Sequence, residues 1–360
     1  MRVLEVITGG EPGGAQRHVR DLSLFLVQHS HSVMIVHGGG NWLSEQLSRT
    51  SVAVQYLSDL TRSPSPRRDL RAIRALRQLI AQWRPDVVHC HSSKAGIIGR
   101  WVAYRVGVPA VYTAHGYVFS DPTKRRWERA LYRQLEKWSA RHSHGVITMT
   151  AADRRSAQAF VGQKRVWYIP NGVEILDEPR PVRLSGPPTA GFMGRLTREK
   201  GLDTLSRVAS HVADWNFVIA GTGPEEGTVR RMRDASSRIK WLGWVEGSGE
   251  PFWQEIDVLI QPSWKEGAPY TILDAMARGI PVVASRVGAI PDMLEGIDSS
   301  MVVESGDVRG FAHALQRVYT HRERLGQACY QAALTRFSIE DQHRATYQAL
   351  RQVAKIRDTL

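Results

Sequence analysis

The sequence predicts an α/β protein of two domains, each a parallel sheet covered by helices on both faces. Three observations carry this. Short β-branched runs alternate with longer amphipathic stretches from end to end, the runs are apolar throughout, and a proline-rich break falls near mid-chain. Continuous apolar strands joined by helical crossovers mark strands buried on both faces. The 360 residues exceed one ordinary core, since domains run to roughly 100–200 residues.

In the first half the strand-like runs are 3–7, 32–36, 52–56, 86–89, 110–113, 146–148 and 166–169, with helical periods over 15–28, 68–83 and 124–141. The pattern resumes at 189–193, 216–220, 258–260, 281–284 and 301–303. Between the two sets, residues 178–188 (EPRPVRLSGPP) hold four prolines, which exclude regular structure. The expected division is therefore a domain over 1–180, a second over 181–338, and a polar helix over 339–360 that can pack back on the first domain. Ligands of open parallel sheets bind beyond the carboxyl ends of the strands, so the loops there are expected to line a cleft between the lobes.

Hydrophobic residues make up 42% and charged residues 23%, ordinary values for a globular chain. Two cysteines, Cys90 and Cys329, give no disulfide framework and suit a reducing cytosol. The opening MRVLEVIT lacks the charged head and cleavage site of a signal peptide, and no run approaches the ~20 apolar residues that span a bilayer. The expected location is cytoplasmic. The net charge of +13 is uneven: 26 Lys and Arg against 14 Asp and Glu in 1–180 leave +12, and 22 against 21 in 181–360 leave +1. The first half is expected to face something anionic, with nucleic acid, an anionic membrane surface and a phosphorylated substrate as candidates.

Two segments carry chemistry. In 191–201 (GFMGRLTREKG), which follows a strand and precedes a helix, Gly191 and Gly194 let the backbone approach a ligand, while Arg195 and Lys200 add a fork-shaped donor and a point charge suited to a diphosphate. The same residues also fit a tight turn with two solvated cations. In 266–274 (EGAPYTILD), Gly267 allows a sharp turn and Pro269 suits a first helical turn, which puts Glu266 at the helix mouth and Asp274 further in. Carboxylates there can accept hydrogen bonds from sugar or ribose hydroxyls, or can simply answer the helix dipole at a surface. The close histidines His89 and His91, and His142 and His144, show no accompanying Cys or carboxylate pattern, so no metal site is expected.

Taken together, these motifs resemble the retaining glycosyltransferases of family 4, with the GT-B fold of two Rossmann-like domains. The elements are G-x-x-G-R with Lys-Gly following, then E-G-x-P with a distal acidic residue about 70 residues on. The glycines at 9–14, Thr113–Ala114–His115–Gly116, Pro170–Asn171–Gly172–Val173 and Leu242–Gly243–Trp244–Val245 resemble further pieces of that family in the same order. The resemblance implies that Arg195 and Lys200 bind the donor diphosphate and stabilise its departing charge, electrostatic catalysis that needs no metal or other cofactor. It further implies that Gly194 lies in the donor loop and that Glu266 binds donor sugar hydroxyls. The backbone of Gly267, Ala268, Pro269 and Tyr270 would lie near the sugar and phosphates. Asp274 would bind the ribose, with the base near Trp244 and Val245. His115 would reach the donor sugar, and Gly13 and Gly14 would lie by the phosphates. The family usually has Glu where this chain has Asp274, one methylene shorter. UDP is the favoured base and GDP the next.

The acceptor side is read from charge. In 67–83, Leu70, Ile73, Leu76, Ile80 and Trp83 form an apolar stripe among Arg67, Arg68, Arg71 and Arg74; in 124–141, Trp127, Leu131, Leu135 and Trp138 recur beside Arg126, Arg129, Arg133 and Lys137. Basic amphipathic helices lie on anionic lipid. No nucleic-acid-binding motif accompanies the charge, so the expected partner is the inner face of the cell membrane. The run from Val88 to Arg100 is similar to family members that build bacterial surface polysaccharides on polyprenyl diphosphates or growing oligosaccharides. Ser92, Ser93 and Lys94, at a strand end, are the candidate acceptor contacts. The alternative within the same fold is a UDP-N-acetylglucosamine 2-epimerase-like enzyme, which needs no acceptor. A dinucleotide oxidoreductase is disfavoured because neither 9–14 nor 221–223 completes G-x-G-x-x-G with its acidic partner.

Overall fold

The apolar runs of the first half pair side by side as β1 (Arg2–Ile7), β2 (Ser32–His37), β3 (Ala53–Tyr56), β4 (Val87–His91), β5 (Ala110–Ala114), β6 (Gly145–Thr148) and β7 (Val166–Tyr168). In the computed structural model, which describes residues 1–183 and 185–356, they form one sheet in the order β3-β2-β1-β4-β5-β6-β7. Every pairing is parallel. The crossovers are α1 (Gly14–Gln28), α2 (Trp42–Leu47), α3 (Pro66–Trp83), α4 (Ser93–Arg105), α5 (Arg126–Ala140) and α6 (Ala151–Val161).

The second half repeats the plan with β8 (Thr189–Met193), β9 (Asn216–Ala220), β10 (Ile239–Gly243), β11 (Val258–Gln261), β12 (Val282–Ser285) and β13 (Val302–Val303), ordered β10-β9-β8-β11-β12-β13. Its helices are α7 (Leu202–His211), α8 (Glu226–Ala235), α9 (Glu250–Trp253), α10 (Tyr270–Met276), α11 (Ile290–Met293), α12 (Val308–Thr320) and α13 (Arg322–Arg336), before the terminal α14 (Ile339–Ala354). The strand β10 is an addition to the sequence reading. It is an edge strand in which Lys240 is exposed, and the charge hides the apolar signal a central strand would give.

The chain divides into two compact units, Met1–Asn171 with the segment from Asp341, and Gly172–Glu340. The change therefore falls at Asn171 and not inside 178–188, the break read from the prolines. Between Pro179 and Pro181 the chain is fastened, since Arg180 donates to the carbonyls of Trp253 and Ile256; Leu184 of that break lies outside the described residues. The helix α14 supplies Ala349, Leu350 and Val353 to the same buried cluster as Val3, Leu22 and Leu26, and a fully buried leucine contributes about 2 kcal/mol.

Candidate functional site

In the second unit, two loops at the carboxyl ends of neighbouring strands β8 and β11 bring Lys200 and Glu266 together. Lys200 Nζ donates to both Glu266 oxygens at 2.8 Å, and Glu266 Oε1 also accepts from Gln261 Nε2 at 2.9 Å and Ser263 Oγ at 2.7 Å. The backbone sets this geometry. Trp264 N–H donates to the Glu199 carbonyl at 2.8 Å. Gly201 holds φ +71, and a side chain there would overlap the Pro262 carbonyl. Gly288, at φ +58, lies against the carbonyls of Glu266 and Gly267 in the same way. Both positions combine a left-handed backbone with close contact, so only glycine fits. Gln261 and Ser263 were not singled out from the sequence; their spacing from Glu266 carries no family motif.

The other residues read from the motifs of this unit lie on the same loops and on neighbouring elements. Arg195 is exposed in the same loop as Lys200 and reaches Glu199 at 3.5 Å, a surface pair of little strength. A Cβ on Gly194 would meet only the Phe192 ring, at 3.6 Å, whereas one on Gly191 would run into Ile256 and Phe252. Gly191 thus serves core packing, which corrects its reading as a point of ligand approach. Ala268 and Val245 pack against the core of the unit, and Tyr270 is buried. Pro269 stands immediately before α10. Asp274 lies on α10, half-buried, with its carbonyl accepting from Arg278 at 3.1 Å. Trp244 follows β10 and is exposed.

In the first unit His115 lies just past β5 and joins a network the sequence did not reveal. Glu5, in the middle of the apolar strand β1, is fully buried between two imidazoles: His89 Nδ1 at 3.1 Å and His91 Nε2 at 2.7 Å. His91 Nδ1 stands 2.9 Å from His115 Nε2, and His89 Nε2 stands 2.7 Å from Thr113 Oγ1. His18, on α1, lies against His91 and His115 with ring centroids 5.5 and 5.1 Å away. Burial first, and the neighbouring His89 second, push the His115 imidazole down to about 3. Burial likewise holds His18 and His91 well below the usual histidine value, so these rings are neutral at physiological pH.

Glu5, His89 and His91 lie within 4.8 Å of one another and could hold a metal ion. The sequence argument against a metal, that no carboxylate accompanies the histidines, therefore does not stand; Glu5 is 84 residues from His89, and only strand register unites them. The spacing nonetheless favours protons. His91 Nε2 and Glu5 Oε2 are 2.7 Å apart, while two tetrahedral ligands each about 2.1 Å from an ion stand roughly 3.4 Å apart.

The candidate acceptor residues divide. Ser92 caps α4 at φ +64, a sparse conformation for a residue with a side chain, and its Oγ lies 2.7 Å from Thr8 Oγ1. Ser93 is the first residue of α4. Lys94 is already engaged, in an ion pair with Asp69 and a 2.6 Å bond to the Ser63 carbonyl. Gly13 and Gly14 are exposed at the start of α1.

The helix α5 wears its polarity inside out. Its buried residues are Glu136, Ser139 and Ala140, and Glu136 pairs with the buried Arg100 at 2.8 Å. Trp127, Leu131 and Trp138 are instead 61%, 51% and 40% exposed, beside the exposed Arg126, Arg133 and Lys137. On α3, Arg71 is held by Asp59 in two bonds. Among the described residues no helix is long and apolar enough to cross a membrane.

Residues 12–175 match the family described as Glycosyltransferase Family 4, and residues 187–321 match Glycosyl transferases group 1. Over 293 residues the chain is 28% identical to the Escherichia coli UDP-Gal:alpha-D-GlcNAc-diphosphoundecaprenol alpha-1,3-galactosyltransferase, covering 74% of this chain and 75% of that one. The fold is similar to that of sucrose-phosphate synthase from Thermosynechococcus elongatus, with a TM-score of 0.83 at 18% identity and 98% of each chain covered. It is also similar to Anabaena HepE in complex with UDP and glucose, with a TM-score of 0.78 at 17% identity, covering 98% of this chain and all 100% of the other. The two Rossmann-like units are accordingly those of a GT-B fold.

Proposed function

The chain belongs to glycosyltransferase family 4, and from that premise we propose that it moves a hexose or N-acetylhexosamine from a UDP-linked donor to a lipid-linked or growing polysaccharide acceptor. Transfer proceeds with retention at the anomeric carbon and without a metal ion. The observation that carries the reading is the Lys200–Glu266 pair, a cation and a carboxylate fixed side by side at 2.8 Å where the donor motifs converge. Lys200 and Arg195 take the diphosphate and stabilise charge on the leaving group. Glu266 accepts from sugar hydroxyls, Asp274 from the ribose, and the base lies near Trp244 and Val245. His115, Gly13 and Gly14 serve the same donor. The naming of a UDP-sugar and a diphosphoundecaprenol acceptor for the E. coli relative supports this choice of donor and acceptor class.

A thermal-shift panel of UDP-, GDP-, ADP- and dTDP-sugars tests the donor, because a ligand bound only by the folded state raises its melting temperature. A UDP-sugar is expected to give a rise of several degrees at saturation. A panel in which another nucleotide gives the largest shift overturns the choice of base. Product formed from the UDP-sugar with no acceptor present would favour an epimerase.

The exposed aromatic and cationic side of α5 supports docking on the cytoplasmic face of an anionic membrane, where each Lys or Arg near the surface contributes about 1 kcal/mol. Trp127→Glu with Leu131→Glu is expected to reduce sedimentation with phosphatidylglycerol vesicles at least tenfold while leaving the melting temperature within about 2 °C, since both side chains are exposed. Equal binding by parent and variant would remove α5 from the membrane reading.

A further inference from the structure

The register of three strands assembles the polar cluster of the first unit. Pairing of β1 with β4 sets Glu5 beside His89, and pairing of β4 with β5 sets His91 beside Thr113. Since residues two apart on a strand share a face, His89 and His91 both project toward Glu5. A carboxylate can only accept hydrogen bonds. His91 Nε2 must therefore carry the proton at its 2.7 Å contact with Glu5, which leaves a lone pair on Nδ1. The 2.9 Å contact between His91 Nδ1 and His115 Nε2 then requires that His115 donate from Nε2. One nitrogen of His115 remains, Nδ1, and it is an acceptor. His89 follows the same logic, giving its Nδ1 proton to Glu5 and accepting from Thr113.

We propose that Glu5, acting through His91, is a positioning residue that fixes His115 as the Nε2–H tautomer and so makes His115 Nδ1 an acceptor for a hydroxyl of the transferred sugar. The inference rests on the reading of His115 as a donor-sugar contact, and it narrows the sugar. A neutral imidazole acceptor welcomes a hydroxyl and disfavours a carboxylate, so a hexose or N-acetylhexosamine fits there and a uronic acid does not. The acidic anchor is buried in the sheet, and the ring at the end of the chain of contacts is the half-buried member. That is the arrangement expected of an outer group that orients an inner one.

The test has one arm that needs no donor. Ring 15N–1H correlation spectra of 15N-histidine-labelled protein should show His115 protonated on Nε2 in the parent. In Glu5→Met the network satisfies itself only by reversal, with His91 donating from Nδ1 and His115 becoming the Nδ1–H tautomer. The kcat/KM for the sugar nucleotide giving the largest shift in the panel should then fall roughly 10–100-fold. Glu5→Gln guards against a folding defect: its amide oxygen can still face His91 while its NH2 faces His89, with Thr113 turning to accept. That variant should keep the parent's His115 tautomer and most of its activity. A parent His115 protonated on Nδ1 overturns the proposal, as does a Glu5→Met protein whose His115 tautomer is unchanged. Reversal with kcat/KM within twofold of the parent overturns the positioning role, and stoichiometric Zn²⁺ held through His89 and His91 would overturn the proton assignment. A failure of the panel alone strikes the donor reading and leaves the tautomer result standing.

Discussion

Lys200→Ala is expected to lower kcat/KM by about 10²–10³-fold, through a raised KM as well as a lowered kcat, because the cation binds the donor diphosphate and also stabilises the charge that grows as it departs. The structure separates this from a folding effect. Removing the ammonium leaves the Glu266 carboxylate with two neutral donors, Gln261 and Ser263, at 2.9 and 2.7 Å. The pair is only part-buried, with the Lys200 side chain 19% exposed, so the stability loss should be about 1–2 kcal/mol, less than for a fully buried pair. In a unit of this size that lowers the melting temperature by a few degrees, and the variant remains folded at 25 °C. The UDP-sugar shift seen with the parent should disappear. Steady-state kinetics and the same thermal scan check both halves. An activity within threefold of the parent would take Lys200 out of the donor site.

What the sequence made legible follows from how local each signal is. Apolar runs such as Val3–Ile7 and Val258–Ile260 announced buried strands, and the loops holding Lys200 and Glu266 could be read because glycine, cation and carboxylate lie within a few residues of a strand end. The contact between those two loops spans 66 residues, and only the adjacency of β8 and β11 makes it. Glu5 carried one local clue, an acidic residue inside an apolar strand, yet its partners come from β4 by register. On α5 the helical spacing of Trp127, Leu131 and Trp138 is the same whether the stripe faces inward or outward. The buried Arg100–Glu136 pair, 36 residues apart, decides that it faces outward, which periodicity cannot reveal.

Acidification should unfold the first unit well above the pH at which carboxylates usually titrate. His18, His91 and His115 are all held below the ordinary histidine value of 6.5 by burial, His115 to about 3, and His343 is held by burial to about 4. Below pH 6.5 the unfolded chain therefore binds protons that the folded chain refuses, so stability is complete above that pH and falls as pH drops toward the folded values. Each such group contributes up to about 1.4 kcal/mol per pH unit. The four rings together set a ceiling of roughly 5.5 kcal/mol per pH unit, and a domain with about 5–15 kcal/mol in hand would be lost within a few pH units. Urea melts at pH 7.5, 6.5, 5.5 and 5.0, followed by far-UV circular dichroism, should show this decline. His343→Gln removes one of the titrating rings, and is expected to flatten the slope by about one proton. A stability unchanged between pH 7.5 and 5.0 would mean that the folded protein accepts those protons, and the neutral imidazole acceptor at His115 would go with it.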